Sequence, residues 1–256
     1  MTPDDEHNLS PSETSRLERQ QKYITNALGF VLHSTVRRSL AGDDLGIKRF
    51  RVAVVSDTPI NLDEDPAIDK PWSTLSPTQM TSSTGVAPES AEQFDVVVVN
   101  LLHTSMGVDD WETTIQNMTD LLRPGGWVQW VDWDPITARI AGSTPGTPDA
   151  SNLRAFLRNY TDVIQARNVG STYRISTMLK SHGFVERDSD MYPVAPDIGL
   201  TRVVAEGALD YLERTGNLSR EEVRAAEANI EQEIRVSGPL VWYDLWCHIA
   251  QKPTKS

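Results

Sequence analysis

The segment 93–134 constrains the fold most, because signals for a strand, a loop, a helix, a turn and a second strand follow one another there. The run Phe94–Leu101 is almost entirely β-branched or apolar, which is typical of a strand buried on both faces of a mainly parallel sheet. A helix capped by Asp109 should follow, since apolar residues recur at helical spacing: Trp111, Ile115, Met118 and Leu122. Arg123–Gly126 ends this helix, and Trp127 begins the next strand. The segment is therefore predicted to form a βαβ unit.

A crevice at the ends of these two strands is the candidate site. Ligands of open α/β sheets bind outside the carboxyl ends of the strands. The residues expected there are Asn100, Leu102, His103, Thr104 and Met106 after the first strand, and Asp132, Trp133 and Asp134 after the second. We expect His103 and Asp134 to be catalytic and the others to bind substrate.

The chemistry of these side chains leaves alternatives open. His103 can act as an acid or base near neutral pH, or can simply bond a neighbouring loop. Asp132 and Asp134 should share one strand face, where a like-charge pair raises the pKa of one carboxyl, or where they cap the next element. Trp133 stands at the strand tip, where it can wall an apolar pocket or belong to the core.

Helices after the crevice are predicted to form a lid. Residues 135–150 read as a loop, and an apolar stripe then marks a helix that offers Phe156 and Tyr160 to substrate. Arg174, on a shorter second helix, is the arginine expected to activate a substrate carbonyl, a role that Arg154 and Arg158 can also fill. The alternative for each of the three is a solvated surface side chain. Two more helices follow, the second capped by Ser219 with Glu222 in the capping-box position. A last strand, 240–250, should lie at the sheet edge.

The amino-terminal part reads as a separate arm. We divide the chain into residues 1–45, a polar tail and a helical arm, and residues 46–256, an α/β domain with lid helices around 151–182 and 201–236. The arm helix should begin near Ser10–Glu13, with a serine cap and a proline at its first position. Its apolar stripe predicts that it covers the crevice or the sheet edge, or that it joins two copies in a homodimer.

Composition narrows the possible partners. The formal net charge is −12, with no long basic block, so no nucleic acid is expected. No apolar run approaches the roughly 20 residues that cross a bilayer, so no membrane span is expected. Cys247 is the single cysteine, and we assign no metal. The acidic start of the chain lacks a secretory pattern, which favours a cytoplasmic protein. A hydrophobic small molecule remains as the expected ligand.

The first strand lacks the expected nucleotide motif. Residues 48–55 are predicted to form this strand, and Ser56-Asp57-Thr58-Pro59 follows it. A cofactor-binding α/β domain usually has glycines here, because only glycine lets the backbone approach the ligand closely. The stretch 56–92 also has little helix or strand signal and is too short for two βαβ units. The first half of the sheet should therefore be abridged.

Several motifs resemble class I S-adenosylmethionine-dependent methyltransferases, especially those of fungal secondary metabolism. The resemblance runs from Glu18-Arg19 and Leu32-His33 in the arm, through Leu121–Trp127 and Gln129–Asp134, to Trp242-Tyr243-Asp244. It implies a Rossmann-like, mainly parallel methyltransferase-type sheet with an N-terminal helical arm and a helical lid.

The resemblance fails where that family binds its cofactor. The family has an acidic, glycine-rich motif where this chain has 54–59, and a ribose-binding acid that is matched at best by Thr74. The chain is therefore similar to methyltransferase-like fungal enzymes that catalyse pericyclic, cyclising or dehydrating steps, and we expect no cofactor. S-adenosylmethionine in an ordinary O-methyltransferase is the alternative. The third hypothesis is that this protein is a non-catalytic partner of a methyltransferase.

Overall fold

The computed structural model describes residues 11–41, 50–56, 62, 68, 73–83, 85–87, 90–102, 105–107, 109–142, 150–167 and 172–254. The helices in this part of the chain are α1 (Pro11–Leu28), α2 (Ser34–Ala41), α3 (Pro77–Thr81), α4 (Asp110–Leu121), α5 (Ser151–Ala166), α6 (Tyr173–Ser181), α7 (Ile198–Arg214) and α8 (Arg220–Ser237). The strands are β1 (Val52–Val55), β2 (Ser73–Leu75), β3 (Phe94–Asn100), β4 (Leu122–Ala141), β5 (Val185–Pro193) and β6 (Leu240–Gln251).

One six-stranded sheet, in the order β2-β1-β3-β4-β6-β5, organises these elements. The pairs β1·β2, β1·β3 and β3·β4 are parallel, whereas β6 runs antiparallel to β4 and β5. This confirms the mainly parallel, Rossmann-like α/β sheet. The chain moves from β1 to β2 on one side and then returns to β3 on the other, so the topological switch point lies between β1 and β3.

The abridged first half is confirmed in the described residues. Between β1 and β3 the structure has one short strand, β2, and one short helix, α3. Ser76 caps α3, because its hydroxyl accepts a hydrogen bond from the Gln79 N–H while the Gln79 side chain accepts from the Ser76 N–H. Ser10, the predicted N-cap of α1, lies outside the described residues.

Asp109 does not cap α4 as predicted. Its backbone is already helical, and its side chain makes no capping hydrogen bond. The neighbouring Asp110 carboxylate instead accepts from the Gly107 N–H at 2.5 Å. The Ser219–Glu222 capping box of α8 is present as predicted.

β4 is longer than the sequence suggests. It begins at Leu122, with Gly125 at φ +78° in the predicted turn, and it continues to Ala141. The expected loop at 135–141 is wrong, because Arg139–Ala141 pair with Leu240–Trp242 of β6 after a register shift. β6 is also not the edge strand: it lies between β4 and β5, and β5 forms that edge.

Helices cover both faces of the sheet. A cluster formed by α1, α2, α5, α7 and α8 packs on one face, and a cluster formed by α4 and α6 packs on the other. Leu17 and Ile24 of the α1 stripe are buried within the chain itself. The homodimer remains a prediction. None of the helices in the described part of the chain is long and apolar enough to span a bilayer.

Candidate functional site

The carboxyl end of β3 lies beneath the arm helix. Asn100, the last residue of β3, is buried, and its Nδ2 donates to Oε1 of Gln21 in α1 at 3.4 Å. Helix α1 is fixed to α7 by ion pairs from Arg19 to Glu206 and from Arg16 to Asp210. The arm thus covers the strand end where the crevice is expected, which agrees with the covering role inferred from its stripe.

Leu102 and Met106 do not line an open crevice. Both are completely buried in the cluster between the sheet and α4, together with Trp111 and Ile115. The expectation that they contact substrate is therefore corrected: the chain turns inward after β3, and their side chains fill the core. His103 and Thr104 lie outside the described residues, so their roles stay predictions.

Successive side chains near residues 132–134 of β4 lie on opposite faces of the sheet. The Asp132 carboxylate is completely buried and accepts hydrogen bonds from Nε1 of Trp130 at 2.9 Å and from the Trp133 N–H at 3.1 Å. Trp133 belongs to the cluster on the other face, where its ring meets Tyr243 edge-on at 5.4 Å. Asp132 and Trp133 therefore do not share one crevice. The Asp134 carboxylate accepts from the Ile136 N–H at 3.2 Å, beside the register shift.

Trp133 and the aromatic residues of α5 and α7 belong to the same core cluster. Tyr160 of α5 contacts Tyr211 of α7 edge-on, with 5.6 Å between ring centroids. Burial, followed by the nearby Tyr211 and Asp132, raises the pKa of Tyr160, so its phenol is neutral at ordinary pH. Phe156 lies one helical turn before Tyr160 and is equally buried. Both predicted lid residues thus face the interior, behind Tyr211.

Tyr211 also lines a cavity of about 490 Å³. Its size falls within the range of small-molecule sites. Its described lining residues come from the segment after β3 and from the carboxyl ends of α5 and α7: Ser105, Arg167, Tyr211, Arg214, Thr215 and Asn217. Ser105 follows the carboxyl end of β3, so the cavity lies close to the crevice that the sequence predicts. Arg174 is not among these lining residues.

Arg167 and Tyr211 form the polar wall of this cavity. Nη1 of Arg167 donates to the Tyr211 hydroxyl oxygen at 3.2 Å, and the guanidinium carbon lies 5.6 Å from the centre of the ring. Burial raises the pKa of Tyr211, and the Arg167 charge and hydrogen bond partly oppose that rise. The phenol is therefore protonated, and because its oxygen already accepts from Arg167, its proton can be donated to a ligand. Sequence patterns did not indicate either residue.

Away from the cavity, a cluster among the described residues has side chains of the types that bind metals: His33, Asp188 and Asp190. Nε2 of His33 lies 3.2 Å from Asp190, while the Thr35 N–H donates to Nδ1 of His33 at 3.3 Å. Nδ1 is thus the acceptor nitrogen, and Nε2 carries the proton. A metal on Nε2 would need the opposite tautomer, so this arrangement fits a hydrogen-bonded cluster better than a metal site.

No protein-family model matches the chain. Methyltransferase grgD from a Penicillium species is 43% identical over 42 residues, a match that spans 16% of this chain and only 15% of that protein. Among solved structures, a methyltransferase from Bacillus halodurans C-125, designated putative, has a TM-score of 0.49 at 12% identity, covering 86% of this chain and 98% of that one. The [4+2]-cyclase SpnF has a TM-score of 0.40 at 12% identity, covering 94% and 95%. Geranyl diphosphate methyltransferase has a TM-score of 0.39 at 13% identity, covering 96% and 92%.

Proposed function

We propose that this protein, which has a methyltransferase-like fold, is an enzyme that no longer transfers methyl groups and instead closes a ring in a hydrophobic natural product. The reaction class is a cyclisation of pericyclic, Diels–Alder type, or a related isomerase or lyase step. The observation that carries this proposal is the cavity beside Ser105, because its wall offers a polarising phenol, Tyr211, while a buried aromatic cluster stands behind it.

The sequence around the ends of β1 and β2 supports a loss of S-adenosylmethionine binding. The sequence has no glycine from Phe50 to Thr84, so no glycine-rich turn follows β1. After β2, where a ribose-binding acid is expected, the chain continues with Ser76, whose hydroxyl is engaged in capping α3. Thr74, the best match in the sequence, lies within β2 and pairs with Val54. These features support the loss of cofactor binding.

The cavity suits a reaction that needs positioning more than a strong reagent. Holding a flexible polyene in a folded conformation brings the reacting carbons together and removes much of the entropic barrier to ring closure. A hydrogen bond from the Tyr211 phenol to a conjugated carbonyl would withdraw electrons from the adjacent alkene and favour addition. His103, Asp134 and Arg174 remain proposed catalytic groups, and Asn100, Thr104, Trp133, Phe156 and Tyr160 remain proposed substrate contacts. Asp132 does not, because its buried carboxylate lies on the opposite face of the sheet from Trp133.

Calorimetric titration with S-adenosylmethionine and with S-adenosylhomocysteine tests the central claim. An active class I methyltransferase, titrated in the same buffer, provides the positive control. We expect no binding by this protein at cofactor concentrations that saturate the control. Micromolar binding would overturn the proposed loss of cofactor.

An S-adenosylmethionine-dependent O-methyltransferase is the second candidate, favoured by the local identity to methyltransferase grgD. Incubation with methyl-labelled S-adenosylmethionine and a panel of phenols and enols separates the two candidates. Label transferred to any hydroxyl would establish methyl transfer. Unlabelled products together with no calorimetric signal would leave ring closure as the better reading.

A further inference from the structure

The charges around the cavity define one class of ligand. Both charged side chains among its described lining residues are arginines, Arg167 and Arg214. No carboxylate lines the described part of the wall, although the chain as a whole has a net charge of −12. A positively charged pocket in an acidic protein concentrates anions locally.

No acid among the described residues neutralises Arg167. Within the part of the chain that the structure describes, its guanidinium has the Tyr211 hydroxyl as hydrogen-bond partner and no carboxylate within 4 Å. A guanidinium has five N–H donors, so most of those of Arg167 are available to a ligand. Its planar fork also matches the geometry of two neighbouring oxygens.

Arg214 is only weakly paired. Asp210 is the nearest acid, 3.9 Å from Nε of Arg214, and it also lies 3.7 Å from Arg16 of α1. Arg16 and Arg214 therefore share one carboxylate, whereas Arg167 has no acidic partner among the described residues. Arginines at helix ends also offset helix dipoles, which is the purely structural explanation that an experiment must exclude.

Tyr211 connects this charged region to an apolar one. Its hydroxyl points toward Arg167, and its ring contacts Tyr160 in the buried aromatic cluster. A ligand that follows this wall meets cations at one end and the ring of Tyr211 at the other.

We propose that the cavity binds an anionic oxygen group, a carboxylate or the enolate of an acidic 1,3-dicarbonyl, at the end of an apolar substrate. This inference rests on the proposed function in taking the ligand to be the substrate of the enzyme. Arg167 holds the anionic oxygens, Arg214 adds its charge, and the Tyr211 phenol donates a third hydrogen bond.

Binding of simple probes tests this inference without knowledge of the substrate. Calorimetry of decanoate, of a 2-acyl-1,3-cyclohexanedione with a similar chain and of decanol, at pH 7.5 and without S-adenosylmethionine, compares two anions with a neutral molecule. We expect at least one anion to bind about tenfold or more tightly than decanol, a difference that charged hydrogen bonds can supply. Added salt should weaken anion binding and leave decanol binding unchanged.

Variants locate the binding site. Arg167→Gln should lose about tenfold in anion affinity, and Arg214→Gln should lose less, whereas Arg224→Gln, at an exposed position of α8, should bind like the wild type. Thermal melting of each variant identifies a helix-end effect, which lowers stability without changing affinity. If Arg167→Gln does not fold, the salt dependence of the wild type still decides the question.

Equal binding of anions and decanol, or unchanged anion binding by folded Arg167→Gln, would overturn the anion site. Neither result depends on S-adenosylmethionine. Failure of this inference is thus distinguishable from failure of the proposed function, which the cofactor titration measures separately.

Discussion

Nη1 of Arg167, at the end of α5, donates a hydrogen bond to the hydroxyl of Tyr211, near the end of α7, at 3.2 Å. This contact joins the ends of α5 and α7 at the wall of the cavity. It also fixes the direction of the phenol and leaves the phenolic proton available. The same guanidinium stabilises the phenolate relative to the phenol, so Arg167 makes Tyr211 a better hydrogen-bond donor than burial alone would allow.

Removing Arg167 should therefore raise the pKa of Tyr211. Burial already raises that pKa, and Arg167→Gln deletes the charge that opposes the rise. Carbon NMR of ring-labelled tyrosine across alkaline pH follows the titration, and Tyr211→Phe identifies the signal. Arg158→Gln serves as the control, because Arg158 is exposed on α5. An unchanged or lower Tyr211 pKa in Arg167→Gln would show that the contact has no electrostatic effect.

Glu233 of α8 caps α5 from outside that helix. Its carboxylate accepts from the Asn152 N–H at 3.1 Å and from the Leu153 N–H at 2.8 Å, while Ala150 at the N-cap has no side chain that can do so. We expect Glu233→Ala to reduce the free energy of unfolding by about 1–2 kcal/mol, the usual cost of a lost cap. Urea denaturation measures the effect.

Exposed Glu227, on the same helix, provides the matched control, and Glu227→Ala should change the free energy of unfolding little. Glu233→Gln retains one acceptor oxygen and should fall between the two. Hydrogen exchange should accelerate at the Asn152 and Leu153 amides in Glu233→Ala. Equal stabilities of the Glu233→Ala and Glu227→Ala variants would contradict the capping role.

These two contacts show where sequence reasoning reached its limit. The Ser219–Glu222 capping box joins residues three apart, so the local pattern predicted it. Glu233 caps a helix 80 residues earlier, and no local pattern reveals that pairing. Arg167 and Tyr211 are 44 residues apart at two helix ends. Periodicity identifies the buried face of each helix, but it does not say which helix ends meet.

The same limit applies to the strands: local composition predicts a strand, but it does not reveal pairing with a distant part of the chain. The β-branched run of β3 was predictable because a strand covered on both faces must be apolar throughout. The continuation of β4 to Ala141 was not, since it depends on pairing with Leu240–Trp242 far along the chain. The prediction that Leu102 contacts substrate is wrong for a related reason. The end of β3 is predicted correctly, but the inward turn of the chain after Asn100 depends on tertiary packing.

The inward turn predicts a stability role for Leu102. This side chain is completely buried against the α4 cluster, so Leu102→Ala should create a cavity and reduce the free energy of unfolding by about 2–5 kcal/mol. Ile136→Ala is the control, because Ile136 is 39% exposed. Urea denaturation compares both variants with the wild type. A loss below about 1 kcal/mol in Leu102→Ala would indicate that Leu102 faces a solvent-filled space instead of a packed core.

His248 should make the fold sensitive to mild acid. Burial lowers its pKa from 6.5 to about 4, and nearby groups such as Glu186, Asp132 and the Thr172 backbone raise it by less. Nδ1 lies 3.0 Å from the Ser189 hydroxyl, while Nε2 is buried and has no hydrogen-bond partner of good geometry among the described residues. Protonation would therefore place a positive charge on a buried ring that its surroundings stabilise only in part.

The folded pKa lies below the unfolded one, so the stabilising contribution of neutral His248 is complete above about pH 6.5 and is lost as the pH falls toward 4. Between pH 7 and pH 5 this one group should reduce the free energy of unfolding by about 2 kcal/mol.

His248→Asn keeps a polar partner for Ser189 and does not titrate, so the free energy of unfolding of this variant should fall less over that interval. His182→Asn, at the partly exposed end of α6, should retain the pH dependence of the wild type. Urea denaturation at both pH values measures all three proteins, and identical pH dependence in His248→Asn and the wild type would mean that His248 is not the group responsible.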